Sequence, residues 1–91
     1  GKAPDSLVAQ TTLAYQHVKA VLAEFGATLD NVVEETVFVT DISQTMAQVQ
    51  EVFAARAAAY GGRPDVAQTL VAVSALVDQA FKIEIKCTAH L

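Results

Sequence analysis

The sequence predicts an α+β fold in which two helices pack on one face of a mixed β-sheet. Apolar residues recur at helical spacing in two segments, and three other segments alternate apolar and polar residues as strands do. The predicted order along the chain is α-β-α-β-β. With 53% hydrophobic and 18% charged residues in 91 positions, the chain can form a single domain that spans residues 1–91.

The first predicted helix follows Pro4, with Asp5 or Ser6 as its N-cap, and runs to about Phe25. Gly26 ends it, because glycine readily adopts the left-handed conformation that closes a helix. Its predicted apolar stripe consists of Leu7, Ala14, Val18, Val21, Leu22 and Phe25.

The first strand is predicted from Val32 to Thr40, with valines on one face and a mixed set of side chains on the other. A second helix follows, with Ser43 as its N-cap, and Gly61 and Gly62 end it after Tyr60. We expect the strand-helix-strand unit to cross over right-handed.

Two further strands are predicted over Gln68 to Ala75 and Phe81 to Ala89, joined by a turn near Asp78. We expect these last two strands to form a hairpin. The final strand alternates most clearly, with Phe81, Ile83, Ile85 and Cys87 pointing toward the helices.

The opposite face of this sheet is predicted to be partly apolar and partly charged. Such a surface suits an interface between subunits, although a sheet that is simply solvated on one side is the alternative. The predicted face consists of Glu34, Thr36, Phe38, Thr40, Gln68, Leu70, Ala72, Glu84 and Lys86.

Composition excludes several classes of partner. A net charge of −4, with only 6 scattered lysines and arginines, argues against nucleic acid. No segment approaches the roughly 20 apolar residues of a membrane span. The single cysteine, Cys87, favours an intracellular, cytoplasmic protein. His17 and His90 have no partners at metal-ligand spacing, and no glycine-rich phosphate loop occurs, so we expect no metal and no cofactor.

Four segments together resemble the RidA/YjgF (Rid, endoribonuclease L-PSP-like) family, and the resemblance extends over essentially all 91 residues. QTTLAYQHVKAVLAEFG resembles the first helix of the family, and NVVEETVFVTDI resembles its third strand and the following turn. Val49 to Arg63 and Ile83 to Ala89 resemble the second helix and the last strand.

The resemblance implies a chorismate-mutase-like fold and a homotrimer whose subunits pack their sheets around a central axis. Family members begin with two additional strands, so on this interpretation the chain lacks an N-terminal β-hairpin. Small metabolites would bind at clefts between subunits.

In deaminating relatives an arginine holds the substrate carboxylate and a glutamate activates water. The resemblance places Glu84 at the glutamate, within Ile83-Glu84-Ile85, and Lys86 where relatives usually have a second acid. It places Gln68 at the arginine position.

Two further pocket positions are implied by the same resemblance. Leu70 falls at the position of a pocket cysteine, and Gln50 at that of a helix asparagine. A second register, which starts from Pro64, puts Val66 at the arginine position. Neither register supplies an arginine, and Arg63 in the preceding loop is expected to be solvated.

The resemblance therefore implies a hydrolase that deaminates imines or enamines such as 2-iminobutanoate, with Glu84 as the catalytic residue. The alternative is a non-catalytic trimer that binds or senses a small ligand, because a glutamine supplies no charge to offset a carboxylate. The ribonuclease or translation-inhibitor activity of some relatives is disfavoured by the acidic charge balance.

Overall fold

The computed structural model describes residues 6–91 and confirms the predicted α+β fold. A short 3₁₀ helix, Leu29–Asn31, precedes the first strand. The main elements are α1 (Leu7–Glu24), β1 (Val32–Val39), α2 (Ile42–Ala47), α3 (Val49–Tyr60), β2 (Ala67–Ala72) and β3 (Ile83–Ala89).

The first helix begins and ends where its capping residues predict. The Ser6 hydroxyl accepts a hydrogen bond from the Ala9 N–H at 3.0 Å, whereas Pro4 and Asp5 lie outside the described residues. Gly26 has φ +71°, and the next N–H donates to the Leu22 carbonyl at 2.9 Å.

Within residues 6–91, no helix has the length and apolar content needed to cross a membrane.

The second predicted helix is two helices. Gln48, with φ −114° and ψ 21°, interrupts it between α2 and α3. The N-cap is Asp41 rather than Ser43, because the Asp41 carboxylate accepts the Gln44 N–H at 2.9 Å. Gly61 ends α3 with φ +78°.

The strand order is β2-β1-β3, so the predicted hairpin of the last two strands is wrong. β1 pairs in parallel with β2 and antiparallel with β3. A central strand buries more apolar surface than an edge strand, and this favours the valine-rich β1 in the central position. Val37 and Val39 are almost completely buried there. The connection over residues 73–82 is longer than a typical hairpin loop and carries the chain across β1 to its other edge.

The helices cover one face of this sheet, called here the inner face, and the core lies between them in two apolar clusters. One cluster contains Leu7, Val37, Val39, Val52 and Ile83, and the other contains Leu22, Ala27, Leu29 and Val32. Val21 and Phe25, which the sequence predicts in the apolar stripe of α1, are 57% and 67% exposed. Part of the α1 stripe is thus left uncovered.

Candidate functional site

The outer face of the sheet, opposite the helices, consists of three cross-strand rows. The strand register defines each row by one residue of β2, one of β1 and one of β3. The rows are Ala67-Glu34-Thr88, Thr69-Thr36-Lys86 and Val71-Phe38-Glu84. This face combines half-buried apolar groups with exposed charges, as the sequence predicts.

Glu84 lies on this outer face, as its parity in the last strand predicts. Its side chain is exposed and opposite the half-buried Phe38. Within residues 6–91, the Glu84 carboxylate accepts no hydrogen bond and forms no ion pair. Glu84 is therefore a carboxylate that remains available to a ligand or to water.

A groove of about 420 Å³ runs beside Glu84, between α1 and the edge of β3 that does not pair with β1. Its walls are mainly apolar, and the exposed Val21 of α1 contributes to them. The other lining residues are Gln10, Leu13, Ala14, His17, Val18, Leu22, Phe81, Ile83, Glu84, Ile85 and Cys87.

The prediction that Gln68, Leu70 and Ala72 lie on the same face as Glu84 is wrong. These residues pair with Glu35, Val37 and Val39, and they share the inner face with them. Leu70 packs against the core cluster of Val37. The outer-face residues of β2 are Thr69 and Val71 instead. The predicted substrate contacts of Gln68 and Leu70 would require a ligand on the inner side of the sheet.

Gln50 does not share the outer face either, because it is an exposed residue near the start of α3. Its predicted contact with a ligand stays a prediction. Within residues 6–91, no three His, Cys, Asp or Glu side chains come together in a cluster that could hold a metal ion.

A buried carboxylate, Glu35, occupies the centre of the inner face. Its side chain is 0% exposed and forms an ion pair with Arg56. Glu35 Oε1 also accepts hydrogen bonds from the Tyr15 hydroxyl at 2.9 Å and from Gln68 Nε2 at 2.8 Å. Glu35 Oε2 accepts the Tyr60 hydroxyl at 2.8 Å. Four donors from two helices and one strand thus satisfy one buried charge, as a buried carboxylate requires.

The partners of Glu35 also hold one another in place. The rings of Tyr15 and Tyr60 meet edge to face, with centroids 5.9 Å apart, and the Arg56 guanidinium lies 5.6 Å from the Tyr60 ring centroid. Arg56 Nη2 donates to the Val66 carbonyl at 3.1 Å. This network fixes α1, α3 and the start of β2 against β1.

Burial and the Glu35 charge suppress ionisation around this network. Burial is the main cause that raises the pKa of Tyr15 and of Tyr60, and the hydrogen bond and negative charge of Glu35 raise both further. Burial also raises the pKa of the Cys87 thiol to about 11. Cys87 is the β3 partner of Glu35 in the register and acts as a half-buried packing residue.

The Glu35 network is not among the sites predicted from the sequence. One signal for it was present: Glu35 has the parity of Val37 and Val39, which places a charge on the inner face. A charge in that position requires donors, and Tyr15, Arg56 and Tyr60 lie on the two helices that cover it.

The fold and its outer face define a small α+β protein that presents, on the open side of a mixed sheet, a carboxylate with no partner among residues 6–91. The family model described as endoribonuclease L-PSP matches residues 1–91. The chain therefore belongs to the endoribonuclease L-PSP family, which confirms the resemblance to RidA/YjgF proteins. A search of the curated proteins gave no match.

Solved structures of related proteins share this fold. Rv2704 of Mycobacterium tuberculosis, a member of the YjgF/YER057c/UK114 family, is 33% identical with a TM-score of 0.83. The Rid protein YyfB of Yersinia pestis is 32% identical (TM-score 0.85), and Escherichia coli TdcF with bound serine is 26% identical (TM-score 0.81). The matches cover 97%, 96% and 98% of this chain but only 70%, 64% and 68% of those chains.

Proposed function

We propose that this chain binds small metabolites at clefts between the subunits of a homotrimer and hydrolyses reactive imines or enamines there. The observation that carries the proposal is Glu84, an exposed carboxylate in the row of Phe38 and Val71 that has no partner in the described part of the chain. A second subunit that packs on this partly apolar face would enclose Glu84 in a cleft.

The proposed reaction needs a group that takes a proton from water. The Glu84 carboxylate accepts this proton while the water oxygen bonds to the C=N carbon and the π electron pair moves to nitrogen. Proton transfer to the nitrogen and loss of ammonia then break the C–N bond and leave the carbonyl product. Water and imine supply all the atoms, so this hydrolysis requires no oxidant and no reductant.

The bound ligand of one relative and the charge of this chain together favour a small ligand over a nucleic acid. TdcF of E. coli is named with bound serine, a small amino acid. A Thermotoga maritima relative, 28% identical, is named a putative endoribonuclease. The net charge of −4 in this chain disfavours a polyanionic substrate, so the small-ligand function is proposed.

The test is hydrolysis of 2-iminobutanoate and 2-iminopropanoate, each generated in the assay, by the trimeric protein. We expect acceleration that Glu84→Gln abolishes. Glu34→Gln is the matched control, because Glu34 is another exposed carboxylate of the outer face, two rows away. A folded trimer that does not accelerate either reaction would contradict the proposal.

The second candidate is a non-catalytic trimer that binds or senses a ligand, and the placement of the arginines favours it. The chain has two, Arg56 and Arg63; Arg56 is held by Glu35, and Arg63 lies in the loop before β2. No arginine lies on the outer-face strands.

A thermal-shift screen of small carboxylates and neutral carbonyl compounds distinguishes the two candidates when combined with the hydrolysis assay. A ligand that stabilises the trimer without any turnover supports the second. Introducing an arginine sharpens the comparison: Thr69→Arg places a guanidinium on the face of Glu84, whereas Gln68→Arg places it beside Arg56 and Glu35. If the remaining pocket is catalytic, Thr69→Arg increases turnover and Gln68→Arg does not.

A further inference from the structure

Lys86 is a cation of the outer face that forms no ion pair within residues 6–91, although Glu84 and Glu34 lie in the rows on either side of it. The one ion pair of that range joins Arg56 to Glu35 on the other side of the sheet. Lys86 is exposed and shares its cross-strand row with the half-buried Thr36 and the exposed Thr69. An ammonium group and two hydroxyl groups therefore occupy neighbouring strands at the same level of the sheet.

The next row supplies two different kinds of group. Val71 and Phe38 form a half-buried apolar surface, and Glu84 lies at its β3 end. Consecutive rows of one face are about 7 Å apart along a strand. This spacing lets one small molecule contact the hydrogen-bond donors of the first row and the carboxylate of the second.

We infer that Lys86, Thr36 and Thr69 bind the carboxylate of a short 2-imino acid, the substrate class of the function proposed above, on which this inference rests. The lysine ammonium supplies the positive charge that neither Gln68 nor Leu70 provides, and the threonine hydroxyls donate hydrogen bonds. The alkyl group of the ligand then lies on Phe38 and Val71, and its C=N carbon faces Glu84.

Lys82 is the matched comparison for Lys86. Each lysine lies two residues from Glu84 along the chain, on opposite sides of it. Lys82 is half-buried, and its N–H and carbonyl bond to Gln10 and to Thr40, at the end of the sheet that carries Asp41. Lys82 thus lies beside one threonine, Thr40, whereas Lys86 shares its row with two, and only Lys86 is expected to bind the carboxylate.

The test uses two stable ligands that differ in one group, 2-oxobutanoate with a carboxylate and 2-oxobutanamide with a neutral amide, in NMR titrations of the assembled protein. We expect Lys86→Met to raise the Kd for 2-oxobutanoate by at least about tenfold and to leave that for the amide unchanged. Lys86→Arg and Lys82→Met should retain binding, and binding of 2-oxobutanoate should weaken as salt is added.

Three results would overturn the inference: no binding of 2-oxobutanoate, binding that Lys86→Met leaves unchanged, or an equal loss in Lys82→Met. Glu84→Gln separates this inference from the proposed hydrolysis, because it should abolish turnover and retain binding of 2-oxobutanoate. Lys86-dependent binding without any turnover would support the carboxylate site and contradict the proposed hydrolase function. Turnover with an unchanged KM in Lys86→Met would support the hydrolase function and contradict the carboxylate site.

Discussion

The Tyr60 hydroxyl donates a 2.8 Å hydrogen bond to Glu35 Oε2, whereas Arg56 and Tyr15 donate theirs to Oε1. Tyr60 is the last residue of α3, and Glu35 lies in the central strand. One hydrogen bond therefore ties the end of a helix to the middle of the sheet.

Removing either tyrosine hydroxyl should destabilise the fold. Tyr15→Phe and Tyr60→Phe each delete one hydrogen bond to a charged group, and we expect each to lower the free energy of unfolding by about 1.5 to 3 kcal/mol. Tyr15→Phe should cost more, because Tyr15 is 1% exposed and water cannot replace its hydroxyl. Urea unfolding measures the difference, with the exposed Lys19→Met as control. Losses no larger than that of the control would contradict the role of the network.

The ion pair of Glu35 and Arg56 should show strong coupling. Arg56→Met leaves a buried carboxylate without its counter-charge, and we expect a loss of about 3 to 5 kcal/mol. In the double variant Glu35→Gln, Arg56→Met no charge remains, so its loss should be clearly smaller than the sum of the two single losses. A double-mutant cycle by urea unfolding tests this expectation, and additive losses would refute it.

Alkaline pH should destabilise the protein. The pKa values of Tyr15 and Tyr60 are raised, and that of Cys87 rises from 9.0 to about 11. A group whose pKa is higher in the folded state stabilises the fold below its ordinary pKa, and this contribution is lost as pH rises through the folded pKa. Stability should therefore fall from about pH 9 upward, and Tyr15→Phe should reduce the slope. A stability that is flat between pH 9 and 11 would contradict this.

The Cys87 thiol should react slowly in the folded protein. A pKa of about 11 instead of 9.0 lowers the thiolate fraction near pH 8 about a hundredfold. Alkylation by iodoacetamide, followed by mass spectrometry, should be slower by at least this factor than in the urea-unfolded chain. Equal rates in the two states would show that Cys87 is neither buried nor perturbed.

Gly61→Ala should lower the free energy of unfolding by about 1 kcal/mol, because it strains the backbone and causes no steric clash. Gly61 has φ +78°, which L-residues adopt at a cost, while no atom beyond its chain neighbours lies within 4 Å of the added Cβ. The Tm of Gly61→Ala is measured by thermal unfolding and compared with that of Ala57→Gly. Ala57→Gly destabilises the interior of the same helix by a comparable free energy and serves as the reference. An unchanged Tm in Gly61→Ala would mean that α3 ends in another conformation.

The sequence by itself determined the element types, their order and the position of Glu84. These predictions succeed because the last strand alternates without ambiguity and because Gly26 and Gly61 end helices by local conformation. The break at Gln48 was not predictable in the same way, since the residues on both sides of it favour a helix.

Only the tertiary structure decided the strand order and the face of each β2 residue. In β2 both parities are largely apolar from Leu70 onward, so alternation could not choose between them. The choice depends on Glu35, a charge that lies under two helices and needs donors, and Gln68 provides one when β2 has the observed register. That register turns Thr69 to the outer face, where it shares a row with Lys86, a relationship between β2 and β3 that no local pattern contains.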